Sequence, residues 1–118
     1  MKRASRIAYL HGYRDIGTVA MIAPFGDRGT EDLFDGRRSA RVWRYPPDVA
    51  EGAVVKLDVL NAAASLQDLR SPPGNRLEAL RGRLRGRHSI RVNDQWQLVF
   101  RWSEGDAHDV RLADCHQE

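Results

Sequence analysis

Ser89-Ile90-Arg91-Val92-Asn93-Asp94-Gln95-Trp96-Gln97-Leu98-Val99-Phe100-Arg101-Trp102 alternates twice between apolar and polar residues. Successive side chains of a strand point to opposite faces of its sheet. In the first run Ile90 and Val92 share one face, with Ser89, Arg91 and Asn93 on the other. In the second, Trp96, Leu98, Phe100 and Trp102 oppose Gln97, Val99 and Arg101. Asn93-Asp94-Gln95 is a tight connection between these strands, and Ser103-Glu104-Gly105-Asp106 is the next. Val110 and Leu112 carry the apolar face into a last strand. Leu77 to Arg81, stopped by Gly82, forms a strand ahead of the pair.

The chain before these strands reads differently. Met21-Ile22-Ala23-Pro24-Phe25 is a short strand that Pro24 assigns to an edge. Thr30 caps a short helix through Phe34, ended by Gly36. Pro46-Pro47-Asp48 opens a stronger helix, in which Val49, Ala53, Val54, Leu57, Leu60 and Ala64 recur every three or four residues. Ser65 to Leu69 is a short capped turn, and Ser71-Pro72-Pro73-Gly74-Asn75 is a loop. Helices first and consecutive hairpins afterwards imply an α+β fold. N-terminal helices pack on a twisted antiparallel sheet of about four strands. They cover the Trp/Leu/Phe face and leave an Arg-rich face open.

The chain has 118 residues, of which 42% are hydrophobic and 30% charged, which suits one globular domain. No apolar run is long enough to span a membrane. The lone Cys115 excludes an internal disulfide framework and suits a reducing, cytoplasmic setting. Residues 1–20 depart from the rest: a basic start and an interrupted apolar stretch, too short for a secretory signal. They form an N-terminal extension or peripheral arm, with the domain at 21–118.

Charge is sorted along the chain. Net charge is +3, and 17 of the 19 basic residues are Arg. Residues 37–44 (RRSARVWR) carry +4. Residues 75–103 carry seven Arg against Glu78 and Asp94, whereas residues 104–118 sum to −4. The ladder Arg76, Arg81, Arg83, Arg85, Arg87, Arg91 and Arg101 lies partly in a Gly-rich loop and partly on the open face, where it would cradle an RNA backbone. Trp43, inside the basic run, is expected at the surface. His116, beside Asp114 and Cys115, has the chemistry of a general acid or base. His108, Asp109, Cys115 and His116 have no metal-ligand spacing. His88 and Ser89 are adjacent on a strand, so they cannot act together with Asp94 as a triad.

Several of these residues, in order, resemble the HigB-type toxins of the RelE/ParE superfamily. The resemblance runs from Met21-Ile22 and Thr30-Glu31 through Leu33-Phe34 and Gly36 to Pro46-Pro47-Asp48. It is densest over Pro72-Pro73-Gly74-Asn75-Arg76-Leu77-Glu78-Ala79-Leu80 and Ser89 to Trp96. It continues through Phe100-Arg101-Trp102, Gly105-Asp106-Ala107 and Asp114-Cys115-His116. It implies a RelE-like fold and a type II toxin that cleaves mRNA on the ribosome without metal or cofactor. It also implies neutralisation by a HigA-type helix-turn-helix antitoxin, with operator DNA reached only through that partner. Carried over residue by residue, His116 is the terminal catalytic His and Arg81 the basic residue of the family's Leu-Lys-Gly motif. Asn93 and Gln97 complete the candidate catalytic set. Arg83, Arg85, Arg87, Arg91 and Arg101 are the candidate phosphate contacts. Two positions depart from the family: Gln97 stands where an Arg follows the Trp, and Cys115 where a Tyr precedes the His. The alternative readings are a weak or inactive toxin-fold protein that binds antitoxin or RNA, and a ParE-like gyrase inhibitor.

Overall fold

The computed structural model describes residues 25–115. Three helices come first: α1 (Arg28–Asp35), α2 (Ala40–Trp43) and α3 (Pro47–Ala62). Strands β1 (Glu78–Ala79), β2 (His88–Arg91), β3 (Trp96–Ser103) and β4 (Asp106–Asp114) follow, with short 3-10 turns at Leu66–Arg70, Pro73–Asn75 and Gly82–Leu84. Each strand pairs antiparallel with the next, in the order β1-β2-β3-β4. The α+β expectation therefore holds. The Met21–Phe25 strand lies outside the described residues up to Pro24; Phe25 makes a parallel bridge to Val110.

Asp27, not Thr30, caps α1: its carboxylate accepts the Thr30 N–H at 2.8 Å. Thr30 stands inside the helix because its hydroxyl is used elsewhere. Gly36, in left-handed backbone, ends α1 as expected, and Arg37 N–H closes the cap on the Asp32 carbonyl. Pro47 opens α3 at the position where a missing N–H costs nothing. Val49, Ala53, Leu57 and Leu60 are its buried stripe, while Ala64 falls beyond the helix and is exposed. That stripe packs with Ile90, Leu98, Phe100, Ala107, Val110 and Leu112 in one core. β1 is shorter than the predicted Leu77–Arg81 because left-handed residues bound it, Arg76 at φ 46 and Gly82 at φ 66. β3 and β4 turn over Glu104-Gly105, both at positive φ, as a tight two-residue hairpin requires.

A bulge in β4 keeps the core apolar. Val99 pairs with Arg111, but two residues on, Arg101 pairs with His108, so β4 spends one extra residue there. Asp109, at φ 54, takes up the bend. Without it, alternation from Leu112 and Val110 would turn His108 inward. With it, Ala107 enters the core instead.

The outer edge of β4 is covered by the chain around α1. Gly26 N–H donates to the Val110 carbonyl at 2.8 Å, and Leu112 N–H donates to the Thr30 hydroxyl at 2.8 Å. Both groups would otherwise be open ladder positions of an edge strand. Thr30 is fully buried, and Tyr45 reaches the same hydroxyl. Gly29 admits the phenol: a Cβ there would sit 2.6 Å from the Tyr45 oxygen. Behind α1, Asp32 accepts from the Ser39 hydroxyl at 2.7 Å and from Arg41 at 3.1 Å, fastening α1 to α2. The Ser39 hydrogen bond chiefly, with Arg41 and Arg37, holds the Asp32 carboxyl below its usual range.

Two tests follow from this packing. Thr30→Val keeps the shape but strands the buried Leu112 N–H, so it should cost about 1–3 kcal/mol. The check is a lower urea midpoint at unchanged m-value. Asp32 is depressed in the folded state, so its contribution is complete above the unfolded carboxyl value of about 3.9 and is lost as pH falls through the lower folded value. Wild-type urea midpoints should be flat from neutral pH to about pH 5 and fall below about pH 4. Asp32→Asn should be weaker at neutral pH and decline less steeply in acid.

Candidate functional site

The face of the sheet away from the main core carries a cleft of about 400 Å³. The β-ladder assembles it. Arg91 and Gln97 are direct cross-strand partners, as are Glu78 and Ser89, so all four side chains project to one face. Asn93, Trp96 and Cys115 close the end near the β2–β3 turn, and Arg76 enters from the chain ahead of β1. Ser89 and its partner Val99 are both buried, so the middle of this face is a floor rather than an open surface.

The turn at the cleft's end is locked by its own side chains. The Asn93 side-chain oxygen accepts the N–H groups of Gln95 and Trp96, each at 2.8 Å. That oxygen is committed to the turn, and the amide NH2 is what Asn93 can offer a ligand. Arg91 pairs with Asp94 across the same turn. Gln95 donates to Asp114 at 2.8 Å, and both the N–H and the thiol of Cys115 donate to the Gln95 carbonyl at 2.7 Å. The end of β4 is thereby stitched to the β2–β3 turn. Tyr45 packs edge-on against Trp96, ring centroids 5.7 Å apart, and ties the helical layer to the cleft rim.

The sequence-derived set divides. Arg91, Asn93 and Gln97 meet in the cleft; Arg81, Arg83, Arg85, Arg87 and Arg101 do not line it. Arg81, Arg83 and Arg85 are exposed in the loop that follows the Ala79–His88 pair. That pair lies three residues along β2 from Arg91, about 10 Å away. Arg87 and Arg101 stand at this far end, where Arg101 donates to Asp109 at 2.8 Å and Arg87 lies 4.0 Å from the same oxygen. The Arg101 hydrogen bond, with Arg87 and Arg111 nearby, keeps the Asp109 carboxyl below its usual range. Carboxylates are interleaved with the arginines of this face, Glu78 and Asp94 in the cleft and Asp109 beyond it. Alternation within β-strands ranks residues by face but is blind to which acid stands across the ladder.

His116 lies outside the described residues, next in sequence to Cys115 at the cleft. His88 stacks on Phe100 in the helical layer's side of the sheet, while its neighbour Ser89 faces the cleft, so the two do point apart. Glu78 carries no sequence signal of its own, and Arg76 is one rung of the ladder. Both follow from the short β1, whose register opposite Ser89 was the missing signal. Trp43 is 68% exposed, with the Arg38 guanidinium 5.9 Å from its ring centroid. Among the described residues, no helix is long and apolar enough to cross a membrane.

Residues 24–116 match the model of a family described as the RelE-like toxin of type II toxin–antitoxin system HigB. The chain is 40% identical to Toxin HigB-1 of Vibrio cholerae over 92 residues, covering 78% of this chain and 95% of that protein. It is 35% identical over 69 residues to an uncharacterized protein of Haemophilus influenzae, covering 58% of this chain and 68% of the relative. The matched span holds every described element, from the Phe25 bridge to the end of β4. The chain belongs to the HigB-like, RelE-like toxins of type II toxin–antitoxin systems.

Proposed function

We propose that this toxin is a ribosome-dependent endoribonuclease that cuts mRNA and so stops translation in the cytoplasm. The observation that carries the reading is the cleft itself: two arginines, an amide pair and two carboxylates converge on the sheet face beside the end of β4. The chemistry needs no group beyond the substrate and the protein. The 2′-oxygen of the RNA attacks the adjacent phosphorus as its proton passes to a base, and the P–O5′ bond breaks. The 5′-oxygen leaves with a proton from an acid, giving a 2′,3′-cyclic phosphate and a 5′-hydroxyl. Glu78 is the carboxylate suited to take the first proton, and His116 the imidazole suited to deliver the second. Arg91 and the amides of Asn93 and Gln97 orient the phosphate. Arg81, Arg83, Arg85, Arg87 and Arg101 serve the RNA backbone away from the scissile bond.

The second reading, a toxin-fold protein that binds antitoxin or RNA without cutting, is favoured by one feature. Gln97 brings a neutral amide where the family places a cation. Losing one charged contact to a phosphate costs about 1.5–3 kcal/mol, or roughly one to two powers of ten in rate. The neutralising partner we propose is a HigA-type helix-turn-helix antitoxin, through which alone the complex would reach operator DNA. Residues 1–20 stand outside the family match and form, on this reading, an extension to the toxin domain.

Expression without the antitoxin should arrest growth and create new mRNA 5′ ends in translating cells. His116→Ala and Glu78→Gln should each lower cleavage by about 10²–10⁴-fold. Antitoxin binding should survive both changes. Intact mRNA 5′ ends in cells expressing wild type, with antitoxin still bound by the purified protein, would establish the binding-only reading. A protein starting at Met21 should unfold cooperatively on heating; a non-cooperative melt would make residues 1–20 part of the domain.

A further inference from the structure

Two guanidinium groups face the cleft. Arg91 has a carboxylate partner in Asp94, whereas Arg76 has no ion-pair partner among the described residues. Gln97, across β2 from β1, adds no charge. Arg76 also stands on left-handed backbone, φ 46 and ψ 57, which glycine adopts freely and a side-chain-bearing residue does not. A strained position that keeps a long cationic side chain points to use of that side chain.

The backbone is held in this conformation from behind. Asn75, fully buried, accepts from the Lys56 ammonium of α3 and donates to the carbonyls of Leu69 at 3.1 Å and Ser71 at 3.2 Å. Arg76 N–H donates to the Pro73 carbonyl at 3.0 Å. The helix, the 3-10 turn and the loop thus meet at the residue before Arg76, and the arginine is delivered to the cleft from a rigid base.

We propose that Arg76 is the phosphate clamp of this cleft, supplying the unpaired positive charge that the neutral Gln97 leaves it without. The assignment rests on the RNA-directed reading above. The side chain binds the phosphate flanking the reacting 2′-oxygen, as a planar donor fork suits. Asn75 and Lys56 act through it as positioning residues.

The test uses the full chain and a short 2′-O-methylated oligoribonucleotide, which binds but cannot be cut because its 2′-oxygen carries no proton. Affinity is measured against salt concentration. Arg76→Gly should fold with an undiminished urea midpoint, because glycine suits the left-handed backbone. It should bind the oligonucleotide roughly tenfold to a hundredfold more weakly. Its log-affinity against log-salt slope should shrink by about 0.7, the loss of one contact to a single strand. Gln97→Arg in the Arg76→Gly background should regain most of the affinity, because both positions face the same cleft. Affinity of Arg76→Gly within twofold of wild type at an unchanged salt slope overturns the proposal, as does absence of binding by wild type. If Arg76→Gly does not fold, Arg76→Lys and Arg76→Gln decide. Strong binding by Lys and weak binding by Gln supports the clamp, and equal binding overturns it. A wild type that binds in an Arg76-dependent manner yet leaves ribosomal mRNA uncut supports the clamp and removes the cleavage reading.

Discussion

Burial of Ile90, Leu98 and Phe100 beneath α3 constrains everything else in the sheet. A strand has only two faces, and these three residues, all at 0% exposure, commit one of them. Every alternate residue must then stand on the second face, which brings Arg91 beside Gln97 and Ser89 beside Glu78. The cleft is a by-product of core formation: no separate force gathers those polar groups. A slip of one residue between β2 and β3 would place Arg91 against the core, at a desolvation cost no local contact could offset. The register is thus specified by hydrophobic burial, and the chemistry inherits it.

The two ends of the polar face serve different physical needs. Near the β2–β3 turn, hydrogen bonds from Asn93, Gln95 and Cys115 make a stiff end wall, joining β4 to a turn nearly twenty residues earlier. Stiffness there suits the phosphate-orienting role proposed for the cleft. At the other end, the bulge at Asp109 has a packing reason first, since it returns Ala107 to the core. Its carboxylate then anchors Arg101, with Arg87 close by, which orders these side chains but spends part of their charge. Arg81, Arg83 and Arg85, exposed on the β1–β2 loop, are the arginines better placed for long-range attraction of a polyanion.

Family membership and the local chemistry illuminate each other unevenly. The family match over residues 24–116 takes in the helical layer, the β2–β3 turn and the rest of the sheet. Gln97 and Cys115, where the resemblance led to an expectation of Arg and Tyr, each have a defined place in the fold. Gln97 sits in a ladder position whose backbone pairing to Arg91 and Ala113 is indifferent to side-chain charge. Cys115 donates its thiol to the Gln95 carbonyl, so the position makes a structural contact. Neither position belongs to the core, so changes at Gln97 or Cys115 should cost little stability.

Period-two alternation over residues 89–102 and the three- and four-residue stripe from Val49 to Leu60 were legible in the chain alone. So were the caps at Gly36 and Ser65. These features are local consequences of backbone geometry, which repeats over a few residues whatever surrounds it. Facing of Arg91 with Gln97 followed from the same periodicity. Beyond reach were the short β1, the Asp109 bulge, the Thr30–Leu112 bond and the pairing of arginines with Asp94 and Asp109. Each joins groups through register, bends or packing that no local pattern encodes. The Thr30 hydroxyl is a cap in sequence terms and an edge-strand acceptor 82 residues away in fact. Likewise Arg76 reads as one cation among seven, and becomes distinct only when Asn75 and Lys56 hold its backbone and the cleft forms around it. Charge type is written in the residues; whether a charge is neutralised, screened or available is settled by which groups the folded chain brings within a few ångströms of it.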